Sequence, residues 1–288
     1  MTRRAATLAF DAAEGLLAVL ATSRPLAALA AAGALGRARN QLSRRWPSPH
    51  EVLVLFPELA PAAAARVAAR IGGLEARNRL AAELLRRAGL PPLRSLLRPL
   101  PAGFAAFRPP FILGTFHAGA VHALGPALER LPAPVLAFRH GPLFAAEPGL
   151  RVETTEGDEQ RRAAAFQRAL AHLEGGGCVA MALDVAPGPA IQVPCLGRTL
   201  TLARGPFALV RLAGAPLVPL LARWRRGGVE VLVGEPLAVG TAPDAEGALA
   251  AAAARWLEDY LRASPAELGL GLLRALLGSG LTRVDGRR

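Results

Sequence analysis

The alternation of hydrophobic and polar positions changes along the chain near residue 108. Between residues 1 and 107, apolar residues recur at the three- and four-residue spacing that is typical of helices. From residue 108 onward, short apolar runs alternate with amphipathic stretches, which predicts buried strands connected by helices. We therefore expect an N-terminal helical region, 1–107, followed by an α/β domain, 108–288. The α/β domain should have a mixed, largely parallel central sheet flanked by helices.

Glycine and proline positions suggest where these elements begin and end. In the helical region, Pro61 marks a helix start, and Gly89 with the Pro91-Pro92 pair marks its end. In the α/β domain, the apolar runs predict strands at 111–116, 135–138, 178–183, 191–193, 216–224 and 229–234. The amphipathic stretches predict helices at 121–130, 158–173, 204–214 and 245–261.

The first 36 residues are mostly apolar and begin with two arginines, as in a signal peptide or a membrane anchor. Asp11 and Glu14 interrupt the early part, and Arg24-Pro25 splits the apolar run that follows. A charge near the centre of a spanning helix is costly. We therefore expect two helices joined at Pro25 that lie in the membrane interface or pack on the domain. A single spanning helix remains the alternative. The alanine- and leucine-rich faces of the helical region also predict a groove for an acyl chain.

Composition narrows the class of partner. The 288 residues carry a formal net charge of +12, and every one of the 34 basic residues is arginine. This charge favours an anionic partner, such as a phospholipid surface, an acyl-carrier protein or a phosphorylated substrate. Aromatic residues make up only 5% of the chain, which argues against base stacking and therefore against nucleic-acid binding. The two cysteines predict neither a disulfide framework nor a zinc site.

Two ionisable residues follow predicted strands. His117 comes directly after the run 111–116, and Asp184 comes directly after the run 178–183. Sites in open α/β sheets gather beyond the carboxyl ends of the strands, so we expect these two residues to be neighbours. A histidine there can take a proton from a hydroxyl near neutral pH. Gly119 would leave room for substrate beside it.

The stretch 181–220, MALDVAPGPAIQVPCLGRTLTLARGPFALVRLAGAPLVPL, resembles the late lipid A acyltransferases of the lauroyl/myristoyl type, within the lysophospholipid acyltransferase group. The resemblance extends from about residue 55 to about residue 276, and its motifs are specific in their order and spacing rather than singly. The positions in register are Asp184, Val193-Pro194, Gly197, Gly205-Pro206, Gly214-Ala215 and Val218-Pro219. The resemblance implies a glycerolipid acyltransferase-like fold.

The family's catalytic signature is a histidine with an aspartate or glutamate completing a His-x4-Asp/Glu motif. His117 matches the histidine, whereas His122 occupies the acidic position. The resemblance implies that a substrate hydroxyl attacks an acyl thioester while the histidine takes the proton and the carboxylate orients the ring. Three readings stay open. Asp184 replaces the missing carboxylate, His122 orients the ring, or the protein is a degenerate relative that only binds lipid.

The resemblance also implies the substrates and the location. The acyl donor would be acyl-carrier protein or coenzyme A, the acceptor a glycolipid or lysolipid, and the location the cytoplasmic face of a bacterial inner membrane. Neither a cofactor nor a metal is implied. Arg139 matches an arginine that the family often has after the second strand, and would bind phosphate. Arg198 and Arg204 flank the helix start at Gly205, where backbone N–H groups favour anions.

Two other kinds of chemistry compete with acyl transfer. His117, His122 and His140 could be metal ligands of a hydrolase, although the five-residue step between the first two is not the helical spacing of a zinc motif. Cys195 could be a nucleophile, but it stands where the family has an aromatic residue, so packing is the simpler interpretation.

Overall fold

The structure is a computed structural model. It describes residues 12–13, 16–43, 47–101, 104, 107–131, 133–139, 150–154, 158–185, 188–238, 240 and 244–278.

Within the described residues, the four helices between Pro25 and the first strand each begin with a proline. They are α1 (Pro25–Ser43), α2 (Pro49–Leu55), α3 (Pro61–Ala88) and α4 (Pro91–Arg94). Proline suits the first helical turn because its missing N–H would have no partner there. Ser48 and Glu51 form a capping box at the start of α2. Gly89 ends α3 with a positive φ of 67°.

Helix α3 joins the helical region to the rest of the molecule. Helices α3 and α1 cross so closely that a Cβ atom at Gly36 of α1 would collide with the carbonyl of Gly72 of α3. Val52 of α2 and Ile71 of α3 are fully buried in one core with Phe116 of the first strand. The helical region therefore packs directly on the sheet. Within the described residues, no helix has the length and hydropathy that crossing a membrane requires.

In the part of the chain that the structure describes, eight strands form a six-stranded sheet and a separate hairpin. They are β1 (Phe111–Gly119), β2 (Val135–Arg139), β3 (Leu150–Thr154), β4 (Cys178–Ala182), β5 (Ala190–Cys195), β6 (Arg198–Ala203), β7 (Leu217–Arg225) and β8 (Gly228–Val233). The sheet order is β3-β2-β4-β1-β7-β8. All neighbours pair in parallel except β7 and β8, and β5 pairs with β6 as an antiparallel hairpin.

Helices cover both faces of this sheet. The remaining ones are α5 (Gly125–Leu128), α6 (Glu159–Glu174), α7 (Arg204–Ala213), α8 (Ala245–Ala263) and α9 (Leu270–Leu277). Alternate residues of β1 enter opposite cores: Ile112 packs with α6 to α9, whereas Phe111 and Leu113 pack with α1, α3 and α5. The predicted α/β class, with a largely parallel sheet flanked by helices, is confirmed.

The predicted elements differ from the structure in three ways. The helix predicted at 121–130 is a 3₁₀ turn, Val121–Ala123, followed by the short α5, because Gly125-Pro126 interrupts the backbone hydrogen bonding. Strand β1 continues three residues beyond the predicted end at Phe116. Strands β3 and β6 were not predicted, since charged and polar residues break their apolar pattern.

Candidate active site

A β-bulge in β1 positions His117. The pairing of β1 with β7 runs from Thr115–Leu220 to Gly119–Ala222, so four steps along β1 match two along β7. The two extra residues of β1 lie between Thr115 and Gly119, where His117 stands. A bulge of this kind redirects a side chain and releases backbone groups from the ladder. His117 therefore belongs to strand β1. The sequence analysis had placed it just after the strand.

Asp184 contacts His117 at two atoms. Its Oδ1 lies 2.9 Å from Nδ1 of the imidazole, and its Oδ2 accepts a hydrogen bond of 2.9 Å from the backbone N–H of His117. Asp184 lies two residues beyond the end of β4, which pairs with β1 in parallel. The expectation that these residues are neighbours at the sheet edge is confirmed.

This contact decides which ring nitrogen of His117 can act as a base. A carboxylate only accepts hydrogen bonds, so Nδ1 must carry the proton and Nε2 is the proton acceptor of the neutral ring. Burial lowers the pKa of His117, but the hydrogen bond and the negative charge of Asp184 raise it, and the net effect is a raised pKa. The His117 side chain is 41% exposed, whereas that of Asp184 is 3% exposed.

His117 lines an apolar cavity of about 540 Å³. A cavity of this size is in the usual range for small-molecule sites, about 300–1,000 Å³. Its walls come from the ends of β1, β2, β3 and β4, from α6, and from the start of α7. Charged or titratable side chains on its lining are few: His117, His122, Glu159 and Arg162. The cavity thus brings an imidazole into contact with a mostly hydrocarbon surface.

Most of the residues that line this cavity were not predicted from the sequence. Helix α6 lines it with Ala165, Phe166 and Ala169, and Arg162 stands in the first turn of the same helix. The apolar face of an amphipathic helix was visible in the sequence, but nothing there separates a cavity wall from an ordinary core. Among the described residues of the helical region, Leu85 is the one that lines this cavity, so the expected groove on that region stays a prediction.

His122, Gly119 and Gly205 have different surroundings. His122 lines the cavity from the 3₁₀ turn after β1, and Gly205 lines it from the first turn of α7. Gly119 does not line it; its φ is +63°, and a Cβ there would collide with the carbonyl of Ala222. The requirement for glycine at 119 is therefore a backbone requirement, and not the space for substrate that the sequence suggested.

Two of the three predicted anion-binding arginines, Arg198 and Arg204, do not line the cavity. Arg204 and Arg211 both pair with the buried Glu246, each at 2.7 Å. Arg198 is exposed at the start of β6, on the hairpin, and does not line the cavity. The backbone of Arg139 ends β2, but its side chain lies outside the described residues, as does His140. Arg162 is the arginine that the structure places on the cavity wall.

The competing chemistries find little support in the described part of the chain. No group of three histidine, cysteine or acidic side chains there is arranged to hold a metal ion. Cys195 is fully buried, and burial together with the charge of Glu258 raises the pKa of its thiol to about 12. A thiol of this kind is not a nucleophile near neutral pH, so the packing interpretation of Cys195 agrees with its surroundings.

Comparisons with known proteins are sparse. No protein-family model and no curated protein matches the chain. Among solved structures, the chain is similar to the crystal structure of the 1-acyl-sn-glycerophosphate (LPA) acyltransferase PlsC from Thermotoga maritima. The identity is 12% and the TM-score 0.38, and the alignment covers 74% of this chain and 92% of that one.

Proposed function

We propose that this protein is an O-acyltransferase that moves a fatty acyl group from a thioester to a hydroxyl of a lipid acceptor. The observation that supports it most is the His117–Asp184 pair on the wall of an apolar cavity. The pair supplies a general base with a fixed tautomer. The cavity supplies a water-poor surface suited to a hydrocarbon chain. The combination fits a reaction in which an acyl chain is bound beside a group that activates an alcohol.

The reaction follows from the free nitrogen of the ring. Nε2 of His117 takes the proton of the acceptor hydroxyl as the oxygen attacks the thioester carbonyl carbon. A new C–O bond forms and the C–S bond breaks. The imidazolium then returns its proton to the departing thiolate, so the histidine is regenerated. Asp184 keeps the ring oriented and stabilises the positive charge that develops on it.

Asp184 therefore does what the missing acidic residue of the His-x4-Asp/Glu motif would do. It engages Nδ1 from across the sheet edge, so a catalytic role for His122 as the orienting group is not needed. His122 and Arg162, both on the cavity wall, are better placed to meet an anionic part of a substrate. The start of α7 at Gly205 adds backbone N–H groups and the positive end of the helix dipole.

The acceptor and donor are proposed from the sequence resemblance. It favours a lipid A-type glycolipid or a lysolipid as acceptor, and acyl-carrier protein or coenzyme A as the carrier of the acyl group. It also favours the cytoplasmic face of a bacterial inner membrane. Four exposed apolar side chains that are close in the sequence support contact with a membrane; we call them the N-terminal patch, and they are Leu16, Val19, Leu20 and Leu26. The net charge of +12 would favour anionic lipids.

Two measurements test the proposal. Mass spectrometry of lipids from cells with and without the gene should reveal one species that lacks a single acyl group when the gene is absent. Purified protein should then transfer acyl groups to that acceptor from acyl-carrier protein or coenzyme A, and His117→Ala should abolish the transfer. If wild-type protein binds lipid but transfers from neither donor, the protein is a lipid-binding relative. If His117→Ala transfers normally, the assignment of the base is wrong.

A further inference from the structure

A buried asparagine lies behind the bulge that carries His117. Asn78 belongs to α3 and is only 6% exposed. Its Nδ2 donates a hydrogen bond of 2.9 Å to the carbonyl of Gly119, the residue that closes the bulge. Its Oδ1 accepts a hydrogen bond of 3.2 Å from the indole Nε1 of Trp224 on β7. A single side chain thus connects α3, β1 and β7.

The orientation of this amide is determined by its partners. The indole N–H can only donate, so it must face Oδ1 of Asn78. The amino group of the amide is then directed at the carbonyl of Gly119, which can only accept. Both polar ends of Asn78 are satisfied in a buried place, where a polar group without a partner is costly. The arrangement therefore has one stable orientation.

The bulge needs such anchors because it leaves the regular β ladder. At its start, the backbone N–H of His117 is bound by Asp184. At its end, the N–H of Ala120 bonds to the carbonyl of Ala222 and the carbonyl of Gly119 bonds to Asn78. Asn78 does not line the cavity, so it cannot contact a substrate bound there.

We propose that Asn78 is a positioning residue, which holds the end of the bulge so that His117 stays aligned with Asp184. The expected effect on catalysis rests on the proposed function, whereas the effect on the contact between His117 and Asp184 does not. Without Asn78, the Gly119 carbonyl loses the hydrogen bond from Nδ2, and the bulge can relax. The ring of His117 then departs from Asp184, while the cavity walls from α6 and α7 are unchanged.

The test uses Asn78→Leu in the full-length protein, because leucine has a similar shape and adds no charge near His117. The pKa of His117 is measured by NMR titration of its ring, with His117→Gln identifying the signal. We expect the pKa to fall toward the ordinary value of about 6.5 as contact with Asp184 weakens. If the protein is an active acyltransferase, kcat should fall roughly ten- to a hundredfold with KM unchanged.

A matched control separates positioning from general destabilisation. Ile71→Val removes one buried methyl group from α3, seven residues from Asn78, and should leave both the pKa of His117 and kcat unchanged. If Asn78→Leu does not fold, Trp224→Phe releases the other end of the amide and should shift the pKa of His117 in the same direction, by less. An unchanged pKa of His117 in the folded Asn78 or Trp224 variant overturns the proposal. The titration needs no enzymatic activity, so failure of the proposed function would not be mistaken for failure of this one.

Discussion

Asp184 binds His117 through both the imidazole and the backbone, although 67 residues separate the two in the chain. One carboxylate therefore fixes where the residue stands and which nitrogen of its ring carries the proton. The motif position five residues after His117 holds His122 instead of an acid. The acid that the proposed chemistry needs lies beyond the end of the neighbouring parallel strand β4, at the same edge of the sheet as His117.

Replacing Asp184 with asparagine should lower the rate and shift its pH dependence. We expect kcat to fall by about two to four orders of magnitude, by analogy with catalytic triads. In the wild type, activity should rise with pH through a midpoint above 6.5, because the base must be neutral and its pKa is raised. In Asp184→Asn, burial remains while the charge is lost, so the midpoint should fall below 6.5. Glu129→Gln removes a carboxylate paired with Arg94 instead and should leave the profile unchanged. A midpoint that does not move would contradict the pairing.

His122→Ala should reduce activity far less than Asp184→Asn does. Asp184 already engages Nδ1 of His117, so the loss of His122 removes a side chain from the cavity wall and leaves the base oriented. We expect at most a tenfold change, roughly the scale of one polar contact to a substrate. Steady-state rates of both variants, measured at saturating donor, compare the two losses of activity. A loss in His122→Ala equal to that in Asp184→Asn would show that His122 is part of the catalytic pair.

Filling the cavity from α6 should change the preferred acyl chain. Ala165 is buried and lines the cavity, and leucine at this position would occupy space that a long chain needs. Ala165→Leu should favour shorter acyl donors in a competition between two chain lengths, by about tenfold, because excluding even a few methylene groups costs about 0.8 kcal/mol each. Ala171→Leu adds the same atoms on an exposed part of the same helix. It should leave the preference unchanged. Equal preferences in the two variants would place the acyl chain elsewhere.

Gly119→Ala should destabilise the fold more than the same substitution at a glycine that has positive φ but open surroundings. Alanine at φ +63° is strained, and its Cβ would also collide with the carbonyl of Ala222. Gly227 provides the control, because its φ is +89° and a Cβ there meets nothing within 4 Å. Gly227→Ala should therefore cost about 1–2 kcal/mol of unfolding free energy for the backbone alone. Chemical denaturation should give a larger loss for Gly119→Ala. Equal losses would mean that the backbone beside His117 has room to move.

Removing apolar side chains from the N-terminal patch should weaken binding to membranes. Leu16 and Val19 are 63% and 61% exposed, and burying such a side chain in lipid contributes about 1.5 kcal/mol or more. The double variant Leu16→Ser, Val19→Ser should bind anionic vesicles at least about a hundredfold more weakly in a sedimentation assay. Leu212→Ser removes another exposed leucine, 52% exposed on α7, and serves as the control. Equal losses in the two proteins would argue against docking through the N-terminal patch.

The central strands of the sheet were predicted from their apolar runs. Residues 178–182 of β4 form an unbroken apolar run, as strands in the middle of a parallel sheet do. β3 was missed because Arg151 and Glu153 interrupt its apolar positions, and these two residues pair with each other across the strand surface. These polar residues make the pattern of β3, which lies at one edge of the sheet, resemble that of a loop.

The part of the site that follows from the order of the strands could be predicted from the sequence. Two strands that pair in parallel bring their carboxyl ends together, and this places His117 near Asp184. The bulge was not predictable, because it arises from how Gly119 and Ala120 meet Ala222, and contacts between distant segments leave no local pattern. The same holds for the cavity, which is the space that remains between α6 and the strand ends.

The burial of Cys178 and Cys195 has a practical consequence. Burial raises the pKa of Cys178 to about 11, and burial with the charge of Glu258 raises that of Cys195 to about 12. Native thiols in this state are poor targets for maleimides and iodoacetamides. A cysteine introduced at an exposed position, such as Ala171 on α6, would then be labelled selectively without first deleting the two natural ones. Fluorophores or spin labels attached there could report distances in the intact molecule while substrates are added.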